Sequence, residues 1–102
     1  MPIQILNTTL TLPNGQQIPN RIAKAAMTEG LADLKAYPSP ALNRLYAHWA
    51  ESGCGVLLTG NVQIDRLHLE RPGNVVIDRE PDAQMQAALV AWAKSAKSGG
   101  AK

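Results

Sequence analysis

The 102-residue chain has no phenylalanine, one cysteine, two tyrosines and two tryptophans. Any core must therefore be built from Leu, Ile, Val, Ala and the two tryptophans. The single cysteine, Cys54, excludes an intramolecular disulfide and any CxxC metal motif. No apolar run approaches the ~18 residues of a membrane-spanning helix. The opening MPIQILNTTL lacks the basic n-region and long apolar h-region of a secretory leader. A reducing cytoplasm is the expected compartment, with no membrane partner. Charge of one sign is also scarce, with a formal net charge of +2. Lys94, Lys97 and Lys102 gather near the end, too few for a nucleic-acid stripe. They suit the negative end of a helix. Neither Gly15-Gln16-Gln17 nor Gly53-Cys54-Gly55 sits between a strand and a helix with GxGxxG spacing, so no dinucleotide fingerprint is present.

The composition that remains, 45% hydrophobic and 18% charged, is that of an ordinary globular domain. In 8–19, Leu10 and Leu12 alternate with Thr9 and Thr11, the period of a half-buried strand. Asn14-Gly15 predicts a tight hairpin turn with φ > 0. Ile18 opens the return strand and Pro19 ends it. Residues 21–28, RIAKAAMT, fit a short strand or a buried helix by period alone; Pro19 and Gly30 favour a strand running into a loop at 29–38. Ser39 and Pro40 begin the clearest helix, over 39–53. Its apolar stripe is Leu42, Leu45, Tyr46 and Trp49, and Gly53 is its left-handed terminator. The run 54–60 predicts a strand buried on both faces.

Residues 61–79 form a long connection with a turn at Arg71-Pro72-Gly73-Asn74 and a short strand at 75–77. A second helix is expected over roughly 81–98, with Pro81 near its start and Asp82 in its first turn. Met85, Leu89 and Trp92 share one face, and Gly99-Gly100 stops it. Strands alternating with helices imply βαβ units and a parallel sheet. Two such strands do not complete a sheet, so the chain is expected to be the front end of something larger.

The ordered segments Leu12-Pro13-Asn14-Gly15, Pro19-Asn20-Arg21 through Met27-Thr28, Gly53 to Gly60, and Arg71 to Asp78 resemble the start of the Old Yellow Enzyme family. Its members are FMN-dependent NADH:flavin oxidoreductases and ene-reductases. The resemblance runs along nearly the whole chain. It implies a (β/α)8 TIM barrel, a fold of about 250 residues, incomplete in this α/β chain. Residues 1–102 would be the N-terminal fragment of a single FMN-binding barrel domain. Within it, 8–19 is the hairpin and 20–102 the first two βα units. The implied activity takes hydride from NADH or NADPH onto flavin N5 and passes it to an electron-poor alkene or a related small-molecule acceptor.

The same resemblance carries site residues over. Ala25, Ala26, Met27 and Thr28 would lie against the flavin ring. Thr28 would tune it by donating to its O4 and N5 edge. Many members have proline where Ala26 stands, so the chain departs from the family there. Gly60 would let the flavin approach the second strand. The family's other functional groups come later in its sequence: the third-strand glutamine, the substrate-binding histidine pair, the tyrosine acid and the phosphate loops. No catalytic residue is therefore expected within 1–102, and the fragment alone should be inactive.

The remaining candidates have plainer readings. Cys54 is expected to be a small buried hydrophobe, and His48 a helix-surface residue. His68 and the charges from Asp65 to Arg71 form a solvated loop without metal-ligand spacing. Trp49 and Trp92 anchor helices on the sheet. The alternative to an enzyme fragment is a non-catalytic α/β interaction module. Such a module would self-associate as a homo-oligomer to cover unpaired strands.

Overall fold

The computed structural model describes residues 2–102. In chain order the elements are α1 (Pro2–Leu6), β1 (Leu10–Thr11), β2 (Gln17–Ile18), β3 (Ala23–Lys24), α2 (Pro40–Ala50), β4 (Val56–Leu57), β5 (Val62–Gln63), β6 (Val75–Val76) and α3 (Ala83–Ala96). A 3-10 turn, Lys97–Gly99, follows α3. The chain is α/β, as its alternation of elements predicts, with short sheets.

β1 and β2 pair antiparallel, with Leu10 opposite Ile18. The hairpin forms as expected, but its turn differs. The Gly15 N–H donates to Leu12 O at 2.9 Å, and of the two turn residues only Gly15 has positive φ, +88°. Asn14 instead uses its side chain, whose Oδ1 accepts from Gln16 N–H at 3.0 Å. One glycine in the left-handed region completes the reversal, so Asn14 need not enter it.

Residues 21–28 resolve as a strand. β3 pairs parallel with β4, Ala23 opposite Val56 and Lys24 opposite Leu57. The helix α2 connects them, capped as its sequence predicts. Ser39 Oγ accepts from Leu42 N–H at 3.1 Å, and Ser39 Oγ–H donates to Leu31 O. Pro40 occupies the first turn, where its missing N–H costs nothing. The second helix starts about two residues later than expected, at Ala83: Asp82 is its N-cap rather than part of the first turn, its Oδ1 accepting from Met85 N–H at 2.7 Å. β5 and β6 pair parallel, Val62 opposite Val75. α1 and β5 carry no clear periodicity in the sequence.

The core lies between the helices and β6. Leu42, Tyr46, Val75, Met85 and Trp92 form its centre, so a tyrosine and a methionine join the Leu, Ile, Val, Ala and Trp set expected from composition. Tyr46 is fully buried, edge-on to Trp49 at 5.1 Å and to Trp92 at 5.4 Å between ring centroids. Each such pair contributes about 0.5–1.5 kcal/mol beyond burial. Three of the four aromatics are thus concentrated at one junction.

The expectation of a strand buried on both faces fails at 54–60. Val56 and Leu57 are half-buried, and Leu58 is 51% exposed. Leu57 packs against the core, while Leu58 on the opposite face is open to solvent. Cys54 is half-buried rather than buried. The radius of gyration is 15.1 Å, against about 13 Å for a compact domain of this length.

Candidate functional site

The parallel pair β3–β4 sends its two C-terminal ends in one direction, and Ala25–Thr28 and Gly60 lie there. Ala25, Ala26 and Met27 are exposed, Thr28 is half-buried and Gly60 is buried. Among the described residues, the N–H groups of Ala26, Met27 and Thr28 and the Thr28 hydroxyl have no hydrogen-bond partner. The strand end therefore leaves these donors unpaired beside the exposed residues Ala25, Ala26 and Met27. Such a donor set fits the ring-edge acceptors of a flavin. The ribityl and phosphate groups would need partners that Ala25–Thr28 and Gly60 do not supply.

Gly60 is placed by protein contacts. A Cβ built on it would overlap Met27 O and sit 2.8 Å from Glu29 Cδ. Any side chain at this position would push the ends of β3 and β4 apart. The structure thus brings Gly60 against Met27.

Three residues that the sequence does not mark as site residues complete the arrangement. Glu29 Oε2 accepts from Gly60 N–H at 3.0 Å and from the Tyr46 hydroxyl. Burial, then the bond to Glu29, raises the Tyr46 pKa well above the usual phenol value, so the phenol stays a proton donor. Lys24 stacks its ammonium 4.6 Å from the Trp49 ring centroid and donates to Ala25 O at 2.6 Å. Burial lowers the Lys24 pKa, and the nearby Glu29 charge opposes that shift. Tyr46 belongs to the apolar stripe of α2, which masks its second role. A buried tyrosine needs a partner for its hydroxyl, and that requirement is the one sequence signal pointing to Glu29.

The remaining residues behave as solvated structure. His48 is exposed near Glu51. His68 Nδ1 lies 2.7 Å from Asp65 Oδ2 in an exposed turn. Among the described residues no cluster of His, Cys, Asp or Glu could hold a metal.

A hollow of about 340 Å³ lies elsewhere, lined by Lys35, Tyr37, Arg66, Asp78, Arg79 and Asp82 among others. It shares no residue with Ala25–Thr28 or Gly60. Its charges are mostly paired within it. Arg66 grips Asp78 through two bonds of 2.9 Å, and Tyr37 O–H donates to Asp82 at 2.8 Å. A smaller apolar cleft of about 220 Å³ separates β4 from α3, between Tyr46, Leu57, Thr59, Leu89 and Trp92.

Comparison with known proteins gives a consistent likeness. No protein-family model matches the chain. The chain is 35% identical over 92 residues to the NADH-dependent flavin oxidoreductase iliE of Hypocrea jecorina (strain QM6a), covering 89% of this chain and 23% of that protein. It thus spans less than a quarter of that curated relative. Its backbone superposes on 2-naphthoyl-CoA reductase, solved in complex with 2-naphthoyl-CoA, with a TM-score of 0.83 at 17% identity. That match covers 96% of this chain and 14% of the reductase. The Old Yellow Enzyme homologue of Zymomonas mobilis gives a TM-score of 0.75 at 20% identity, over 94% of this chain and 25% of that chain. The structural matches give the fold, that of a part of these TIM-barrel enzymes.

Proposed function

We propose that this chain, similar to the N-terminal part of an Old Yellow Enzyme-like NADH:flavin oxidoreductase, supplies the first two βα units of a (β/α)8 barrel and one edge of its FMN site. The parent protein takes hydride from NADH or NADPH and delivers it to an electron-poor alkene or a related small-molecule acceptor. Bound FMN would supply the hydride-accepting and hydride-donating atom, N5. The observation that carries this reading is the set of unpaired donors at Ala26, Met27 and Thr28, beside Gly60 at the ends of two parallel strands. Active sites of such barrels form at the C-terminal ends of their strands.

Each residue then has a definite task. The N–H groups of Ala26, Met27 and Thr28 orient the ring by donating to its edge. The Thr28 hydroxyl donates where negative charge develops on reduction, which favours the reduced state. Gly60 keeps the second strand end close to Met27. None of these groups is an acid placed to protonate substrate.

The barrel reading draws support from the exposed apolar residues Ile22, Met27 and Leu58, at 46%, 47% and 51% exposure. A barrel would cover them. The same residues favour a second reading, a non-catalytic module that self-associates. The cytoplasm is the proposed compartment; among the described residues no helix is long and apolar enough to cross a membrane. The test is anaerobic turnover by the full-length protein with FMN, NADH and an α,β-unsaturated ketone. Acceptor-dependent NADH oxidation is expected. A protein of defined oligomeric size with no such turnover would favour the interaction module.

A further inference from the structure

We infer that Glu29 is a positioning residue: its carboxylate ties Tyr46 of α2 to Gly60 and so sets the spacing between the ends of β3 and β4 at the flavin edge. This rests on the flavin reading above and deepens it.

The geometry is specific. Glu29 follows Thr28 directly, so its backbone moves with the proposed donor. Its Oε2 accepts from two donors on two other segments, the Tyr46 hydroxyl and the Gly60 N–H at 3.0 Å. Its carboxylate and Met27 O together fill the space a Cβ on Gly60 would need. Gly60 is therefore held by a hydrogen bond at its N–H and by close packing against its Cα. Tyr46 is a rigid anchor, with no exposed surface and two tryptophans packed edge-on against it. A shift of the carboxylate would move Gly60 relative to Met27 and Thr28, the groups proposed to face the flavin.

Lys24 adds a favourable charge. Its ammonium lies over Trp49 and Tyr46, at 4.6 and 5.8 Å from their centroids, and attracts the Glu29 carboxylate. A tie serving only to hold α2 on the sheet would need Tyr46 and Glu29 but not Gly60. The second bond, to Gly60 N–H, extends the link to the site.

The experiment uses the full-length protein and two readouts. The first needs no flavin: hydrogen exchange of the Gly60 amide. Glu29→Ala should speed it roughly tenfold or more, the factor for losing a bond to a charged acceptor. Glu29→Gln, which keeps an acceptor oxygen and is the milder change, should retain part of the protection. The second readout is the visible absorption and midpoint potential of the FMN-loaded protein. Glu29→Ala and Tyr46→Phe should shift both in the same direction, with Glu29→Gln closer to the native protein. Unchanged Gly60 exchange in Glu29→Ala would overturn the tie. Unchanged flavin spectrum and potential, with only the melting temperature lowered, would reduce it to a structural contact and overturn the positioning role. A native protein that takes up no FMN would instead sink the flavin reading, and Gly60 exchange would still decide the tie.

Discussion

The backbone of Lys102 brackets Val56: its N–H donates to Gly55 O at 2.9 Å and its carbonyl accepts from Leu57 N–H at 3.1 Å. This is the bond pattern of a parallel bridge. β4 therefore has hydrogen-bonded neighbours on both edges, β3 on one and Lys102 on the other. The order fits a sheet that grows by one parallel strand per βα unit.

If that bridge persists in the full-length protein, the Leu57 and Leu58 amides should both be protected from exchange. Leu58 N–H donates to Lys24 O at 3.2 Å, on the opposite edge. Hydrogen exchange resolved at these two amides is the measurement. Fast exchange at Leu57 with slow exchange at Leu58 would remove the second edge.

Asn20 links the hairpin to the parallel pair. Its Oδ1 accepts from Gly55 N–H at 2.8 Å and Ile22 N–H at 3.1 Å, and its Nδ2 donates to Gly53 O at 2.6 Å. Asn20→Ala removes the side-chain partner of Ile22 N–H and Gly53 O, while Gly55 N–H keeps its bond to Ile22 O at 2.9 Å. A loss of about 1–3 kcal/mol is expected, read from the denaturant midpoint. Asn20→Asp keeps the acceptor and should lose less. A midpoint unchanged in Asn20→Ala would show that water replaces the bonds without cost.

Acid should loosen the 64–82 region first. Arg66, then Arg79, holds the Asp78 carboxyl down to about 2. Bonds from Met85 N–H and Tyr37 lower Asp82, and bonds from Leu67 N–H and His68 lower Asp65. A folded-state pKa below the unfolded value, about 3.9, contributes stability that is complete above that value. The contribution is lost as pH falls through the folded pKa. The melting temperature should fall between about pH 4 and 2. Asp78→Asn should be less stable at neutral pH and flatter across that window. An equally steep acid limb in Asp78→Asn would assign the effect elsewhere.

Thr28→Ala should lower the flavin midpoint potential and leave FMN bound. A lost bond to a charged group is worth roughly 1.5–3 kcal/mol. That corresponds to about 30 mV or more for a two-electron couple. Spectroelectrochemistry measures it, and an unmoved potential would remove Thr28 from the mechanism.

The strongest local signals in the sequence produced the elements they predict. Ser39-Pro40 and the Leu42–Trp49 stripe define α2. Gly15 and Gly100 sit in the left-handed region where their segments reverse. What stayed hidden depends on neighbours distant in the chain. β5 is two residues long and exists because β6 pairs with it, so it has no period of its own. Leu57 and Leu58 read as doubly buried because their apolar run does not state which face will be covered. The strand-end residues were legible only through resemblance, since AAMT carries no chemistry by composition. Glu29 was missed because a lone carboxylate in a mixed loop looks like a solvated charge. Only the fold brings it to Tyr46 and Gly60.

Flavin content of the purified full-length protein decides whether these strand ends belong to a flavin site. A flavin site requires a yellow protein that releases FMN on denaturation and bleaches anaerobically with NADH. A colourless protein that takes up no FMN when reconstituted would contradict it.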